Sequence, residues 1–238
     1  MTERGRGAAR QTAETFQVGP SQLHWDGRDL VIDIDEISTP HLQRLRGRVR
    51  LSPSAVTEVE LPLDPGAAHV WRPFAPTARI AVDIARPGWR WDGHGYFDAN
   101  FGSAALEDDF RYWTWARMPL DHGTAAFYDA DRRDGSTLAT AFHFHLDGSV
   151  ATLETPPPLR PMARSLWQVR RGMRADAGTT PRQTAPMLDA PFYSRSTVTA
   201  QIDGQPRTGV HEALDLDRFA KPWLKPMLAL RVPRRPKF

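Results

Sequence analysis

The sequence predicts an all-β protein built from short antiparallel strands. Three observations carry this. Segments of alternating polar and apolar residues recur along the chain. Four Asp-Gly pairs, at Asp26-Gly27, Asp134-Gly135, Asp147-Gly148 and Asp203-Gly204, separate such segments, and this dipeptide is a strong hairpin signal. Helical periodicity is confined to two places, about Leu106–Phe110 and Leu216–Leu230.

In order, the expected strands are Thr15–Val18, Arg28–Ile37, Leu45–Leu51, Thr57–Leu63 and Ala78–Ile84. The second half offers Arg111–Arg117, Thr124–Asp129, Thr137–Leu146, Ser165–Arg170, Ser194–Ile202 and Arg207–Leu214. The 21 prolines are expected to cap strands rather than sit inside them. The proline-rich run Thr155–Pro161 reads as an exposed loop. Many short strands with tight turns argue for a barrel or a sandwich. Arg86-Pro87-Gly88 divides the chain into residues 1–88 and 89–238.

Composition narrows the function classes. At 238 residues and 25% charged groups, the chain suits one large domain or two small ones. No window approaches the ~18–20 continuous apolar residues of a transmembrane helix. No apolar core follows the basic start, so export is not expected and a cytoplasmic location is. With no cysteine, disulfides, thiolate metal sites and cysteine nucleophiles are excluded. The net charge is only +3, but Lys221, Lys225, Arg231, Arg234, Arg235 and Lys237 form an acid-free C-terminal run. Phe219, Trp223 and Met227 interleave with it, while Pro222 and Pro226 break a regular helix. Such an end suits either a solvated tail or contact with an anionic membrane surface.

The most informative stretch is Trp91-Asp92-Gly93-His94-Gly95-Tyr96-Phe97-Asp98-Ala99-Asn100-Phe101-Gly102. On an extended chain alternate side chains share a face, so His94, Tyr96, Asp98 and Asn100 align. His69 and Trp71 align upstream, and Trp113, Trp115 and Arg117 downstream. Aromatic walls with few polar groups suit a large apolar ligand. The same residues also suit a wet edge strand, a structural Tyr–Asp hydrogen bond, a surface histidine and indole packing. Rival chemistries are poorly supported. His143 and His145 have a strand spacing used by zinc ligands but no evident third ligand. His211-Glu212 lacks the second histidine of a zinc protease. Gly102-Ser103-Ala104 is no nucleophile elbow, and Gly5 and Gly7 follow no strand, as a phosphate loop requires.

Seven collinear runs then stand out: HVWRPF (69–74), GHGYFDANFGSAALEDDFRYWTWAR (93–117), DADRRDGSTLA (129–139), RSLWQVRR (164–171), ADAGTTPRQ (175–183), PMLDAPFY (186–193) and TGVHEALDL (208–216). Together they resemble the acyclic carotenoid 1,2-hydratases, or hydroxyneurosporene synthases, of purple phototrophic bacteria, over nearly the whole chain. The resemblance implies a lipocalin-like pair of β domains, barrel or sandwich, with the ligand between them. Family members usually begin further upstream, so the first domain is expected to lack a strand that they have.

The resemblance also implies a reaction. A hydro-lyase would add water across the terminal 1,2 double bond of an acyclic carotenoid such as neurosporene or lycopene, with no cofactor and no metal. Protonating such an alkene needs a carboxylic acid kept neutral by apolar surroundings, and Asp98 is the candidate. The tertiary cation needs electron-rich faces, which Trp71 and Tyr96 supply. His69 would position water and take its proton. These four catalytic positions match the HVW and GYFD motifs of the family, and His94, Trp113 and Trp115 are expected to contact substrate. The expected partners are the carotenoid and, peripherally, the inner or photosynthetic membrane surface, with no nucleic acid. A non-catalytic terpenoid carrier and a terpenoid cyclase or pericyclase on the same scaffold are the alternative readings.

Overall fold

The structure is a computed structural model that describes residues 4–38 and 42–224. From the N-terminus its strands are β1 (Ala9–Gln11), β2 (Thr15–Val18), β3 (Ser21–Trp25), β4 (Leu30–Ile37) and β5 (Arg44–Pro53). Next come β6 (Leu61–Pro62), the long β7 (His69–Arg86) and β8 (Trp89–Gly102). A single-turn helix, α1 (Leu106–Asp109), leads into β9 (Phe110–Leu120), β10 (Gly123–Arg132), β11 (Thr137–His145) and β12 (Val150–Thr152). The last strands are β13 (Leu159–Met162), β14 (Arg171–Arg174), β15 (Arg182–Asp189), β16 (Tyr193–Ile202) and β17 (Gln205–Asp215), followed by α2 (Leu216–Phe219). The class is all-β and antiparallel, as the sequence predicts, and among the described residues no sheet closes into a barrel. No described helix is long and apolar enough to cross a membrane.

The chain forms two compact units. One comprises the described residues up to Val56 together with Ala75–Phe97. There β1 to β5 pair in sequence order, and β5 then pairs with Ala78–Arg86 of β7. Leu51, Ala75 and Ala78 form its small buried cluster, with Leu30 packed against them. On β5 the period of two sets Arg44, Arg48 and Arg50 on one face, where they pair with Asp35, Asp33 and the Asp26/Asp29 couple.

The other unit comprises Thr57–Phe74 and the described residues from Asp98 onward. Its seven-stranded sheet runs β12-β11-β10-β9-β17-β16-β15. One face of that sheet presents small residues, among them Ala116, Ala125, Ala141, Val198 and Ala200. These let Met173 and Ala175, at and beyond the end of β14, pack closely over Met118, Phe127 and Ile202. The opposite face is aromatic and positions the site described below.

The four Asp-Gly pairs between alternating segments sit at hairpin turns, whereas a fifth, Asp92-Gly93, lies inside β8. The tightest joins Ile202 directly to its ladder partner Gln205. Its Asp203 and Gly204 have φ of 54° and 73°, the doubly positive geometry that matches strand twist. Other elements depart from expectation. Thr57–Leu63 contributes only Leu61–Pro62 to a ladder. Leu159–Met162, within and beyond the expected loop, pairs with β14. Ser165–Arg170 is no strand: Gln168 N–H bonds back to Ser165 O at 2.9 Å, making a turn of the apolar pair Leu166-Trp167. The helix expected at Leu216–Leu230 is the short α2 and a 3-10 turn at Pro222–Leu224, and its remainder lies outside the described residues.

Prolines also enter strands. Pro73 and Pro76 lie inside β7, where its registered partner on one side changes from β6 to β5. A proline removes a ladder donor, so it is tolerated where the ladder is interrupted. The carbonyls remain in use: Phe74 O accepts from Thr57 N–H at 2.9 Å, and Pro73 O accepts from the Thr57 hydroxyl.

Candidate functional site

Asp64 sets where β7 begins. Its carboxylate accepts the backbone N–H groups of Gly66, Ala68 and His69 at 3.0, 3.1 and 2.7 Å. Burial opposes its charge, but those three donors outweigh burial and hold its pKa below the ordinary value. From His69 the strand alternates, so His69 and Trp71 both turn inward and are buried.

His69 does not act alone. Its Nε2 lies 2.7 Å from Oδ2 of Asp109, the last residue of α1. A carboxylate only accepts, so Nε2 carries the hydrogen, and in the neutral ring the lone pair is on Nδ1. The imidazole stands edge-on to Phe110, with centroids 5.1 Å apart. Gly102 permits β8 to pass this close. A Cβ there would sit 2.3 Å from Ala68 O and 3.2 Å from His69 Nδ1.

Trp71 is fully buried. Its Nε1–H donates to Oδ2 of Asp98 at 2.7 Å. The indole meets Tyr128, Phe142 and Phe144 at centroid separations of 5.7, 6.0 and 6.2 Å. The ladders explain why those rings share a face. Trp115 pairs with Tyr128 and Trp113 with Ala130. In turn Phe142 pairs with Ala126 and Phe144 with Thr124. Trp113 stacks obliquely on Tyr128 at 5.8 Å. Burial drives the Tyr128 phenol far above its ordinary pKa, and the Asp98 and Glu212 carboxyls push the same way.

Glu212 extends this face across β17, opposite Trp115. Burial raises its pKa, with a further push from Asp98, against the pull of Tyr193 and Arg195. Arg195 Nε stands 3.4 Å from its Oε1. The aromatic face therefore holds two carboxyls, Asp98 and Glu212, beside stacked indole, phenol and phenyl rings. Carboxyls in such apolar surroundings can act as proton donors, and the ring faces can stabilise a cation.

Of the residues that the sequence singled out, His69, Trp71, Asp98, Trp113 and Trp115 belong to this one unit. Tyr96 and His94 belong to the other. Tyr96 is half-buried two residues before Asp98 on β8, and His94 is exposed. Asp109, Tyr128, Phe142, Phe144 and Glu212 are additions from the fold. Phe142 and Phe144 had a sequence signal: they alternate with His143 and His145, whose spacing drew attention to the wrong face. Among the described residues no group of three or more His, Asp or Glu side chains converges to hold a metal.

Residues 1–238 match the family described as Carotenoid hydratase CrtC. Three similar proteins each bear the name acyclic carotenoid 1,2-hydratase. That of Cereibacter sphaeroides is 56% identical over 99% of this chain and 84% of its own. That of Rhodobacter capsulatus is 57% identical, with the same coverage of 99% and 84%. That of Thiocapsa roseopersicina is 44% identical over 98% of this chain and 58% of its own.

Proposed function

The chain belongs to the carotenoid hydratase family, and from that premise we propose that it is a carotenoid 1,2-hydratase acting by acid catalysis on acyclic carotenoids. The Trp71–Asp98 hydrogen bond inside the aromatic face carries this reading. Trp71 holds the carboxyl of Asp98 in place, and that carboxyl delivers the proton. It adds to C2 of the terminal alkene, whose π pair forms the new C–H bond and leaves a tertiary cation at C1. Trp71 and the neighbouring rings face that cation, and each π face is worth roughly 0.5–2 kcal/mol. Water attacks C1 and gives its proton to His69 Nδ1, while Asp109 holds the ring through Nε2. Proton return to Asp98 through solvent closes the cycle. Trp113 and Trp115, on the same aromatic face, contact the polyene.

A C40 polyene dissolves in lipid and not in water, so we place the enzyme in the cytoplasm, peripherally on the membrane that holds its substrate. The test is incubation with neurosporene or lycopene in oxygen-18 water. A tertiary alcohol carrying one labelled oxygen is expected. Bound but unchanged polyene would make the protein a carrier, and an unlabelled isomer would make it a cyclase.

A further inference from the structure

The turn at Ser165–Gln168 has an unusual composition. Central turn positions normally carry Gly, Pro, Asn, Asp or Ser. Here they are Leu166 and Trp167, exposed by 83% and 50%.

This exposure is built rather than frayed. Ser165 and Val169, on either side, are buried. Val169 N–H donates to Ser165 Oγ at 3.3 Å. Leu166 N–H donates to Asp189 Oδ2 at 2.8 Å. Arg218 donates to Trp167 O at 2.7 Å and to Gln168 O at 3.3 Å. The backbone is thus fixed on several sides while two large apolar side chains face solvent.

Both tethers lead to more exposed apolar groups. Asp189 ends β15, and just before it Met187 and Leu188 are 52% and 55% exposed. Arg218 lies on α2, and five residues further on Trp223 is 67% exposed. Of the acids nearby, Asp215 pairs with Arg218, Asp217 pairs with Arg133, and Asp189 accepts from Leu166 N–H. Beyond Trp223 the sequence adds Lys225, Arg231, Arg234, Arg235 and Lys237 and no acid. Apolar groups at a fixed apex, with a cationic excess following them, complement an anionic lipid surface.

We infer that the Leu166-Trp167 turn is the membrane-docking apex of this protein, entering the head-group layer of an anionic bilayer with Met187, Leu188 and Trp223 beside it. The inference rests on the reading that the substrate is a membrane-dissolved polyene, and it assigns the surface that meets the membrane.

The test compares wild type with a Leu166→Ser/Trp167→Ser double variant and a Leu166→Phe/Trp167→Phe control. Vesicles of equal parts phosphatidylcholine and phosphatidylglycerol are sedimented with each protein, and lycopene is supplied either in those vesicles or in detergent micelles. The serine variant is expected to bind vesicles more weakly by on the order of tenfold. Its hydration of vesicle lycopene should fall in step, and its hydration of micellar lycopene should match wild type. The phenylalanine control should bind like wild type. Equal vesicle binding by the serine variant and wild type overturns the inference, as does wild type that binds no vesicles. Sedimentation velocity adds a further outcome: a wild-type dimer that the serine change makes monomeric, with vesicle binding unaltered, assigns the apex to a second copy and also overturns it. Failure of the hydratase reading looks different, since wild type would then leave micellar lycopene unchanged.

Discussion

The indole nitrogen of Trp71 and Oδ2 of Asp98 lie 2.7 Å apart, joining the start of one long strand to the end of the next. One side chain thereby does two things. In the proposed mechanism its N–H orients the acid, and its ring helps to form the wall around the resulting charge.

Replacing Asp98 by Asn should leave the fold intact, because the amide oxygen still accepts from Trp71. Turnover should fall by about 10²–10⁴-fold, the usual worth of a positioned proton donor. Product assays beside near-ultraviolet circular dichroism check this. Near-normal turnover with an amide at position 98 would sink the mechanism.

Trp71→Phe should retain more activity than Trp71→Leu. Both lose the bond to Asp98, worth roughly 1 kcal/mol, but Phe keeps a π face and Leu does not. Rates are to be compared per folded molecule, since Trp71 is fully buried. Equal rates would assign Trp71 to packing and hydrogen bonding.

Asp109 offers a separate handle on the proposed base, His69. Its side chain is 41% exposed while that of His69 is 4% exposed, so Asp109→Ala opens no core cavity, and rates are to be compared per folded molecule because the buried His69 N–H loses its acceptor. Loss of a charge-assisted bond to the imidazole, about 1.5–3 kcal/mol, should lower kcat by roughly 10- to 100-fold with KM little changed. An unaltered kcat would remove His69 from proton transfer.

His211 predicts an acid sensitivity of the fold. It is fully buried on β17, with Nε2 2.9 Å from Gly172 O and 2.8 Å from Thr114 Oγ1. Burial lowers its pKa from 6.5 to about 4. Between these values the unfolded chain binds a proton that the native state refuses. The contribution is therefore complete above pH 6.5 and is lost as pH falls towards 4, a swing of about 3 kcal/mol. Urea unfolding at pH 7.5 and 4.5 should show this loss, and His211→Gln should shrink it. An unchanged difference in the Gln variant would trace the acid lability to other groups.

Much of the fold is legible because its signals are local. Asp203-Gly204 needs only its own dihedral preferences to turn the chain, and Arg111–Arg117, the middle of β9, needs only its period of two. Within the site, His69, Trp71 and Asp98 are legible as alternating strand positions. Their partners are not, because register is a long-range property. Nothing near Glu212 announces that it faces Trp115 across a ladder, and Asp109 reads as an ordinary acid in the first turn of a helix. Ser165–Arg170 misleads for a different reason. Leu166, Trp167 and Val169 carry strand propensity, but Asp189 and Arg218, remote in sequence, bind the backbone as a turn.

The course of β7 and β8 has a consequence for dissecting the protein. Within the described residues the chain passes from one compact unit to the other three times, after Val56, Phe74 and Phe97. Two of these passages run side by side along paired strands joined at Pro87-Gly88. No single cut therefore frees either unit as a continuous polypeptide. A break at the Pro87-Gly88 tip would instead yield two chains that each hold part of both units, with β7 and β8 left to zip together across the gap. That makes the tip a natural place to split the enzyme for fragment complementation, with recovered hydration reporting that the pieces have found each other.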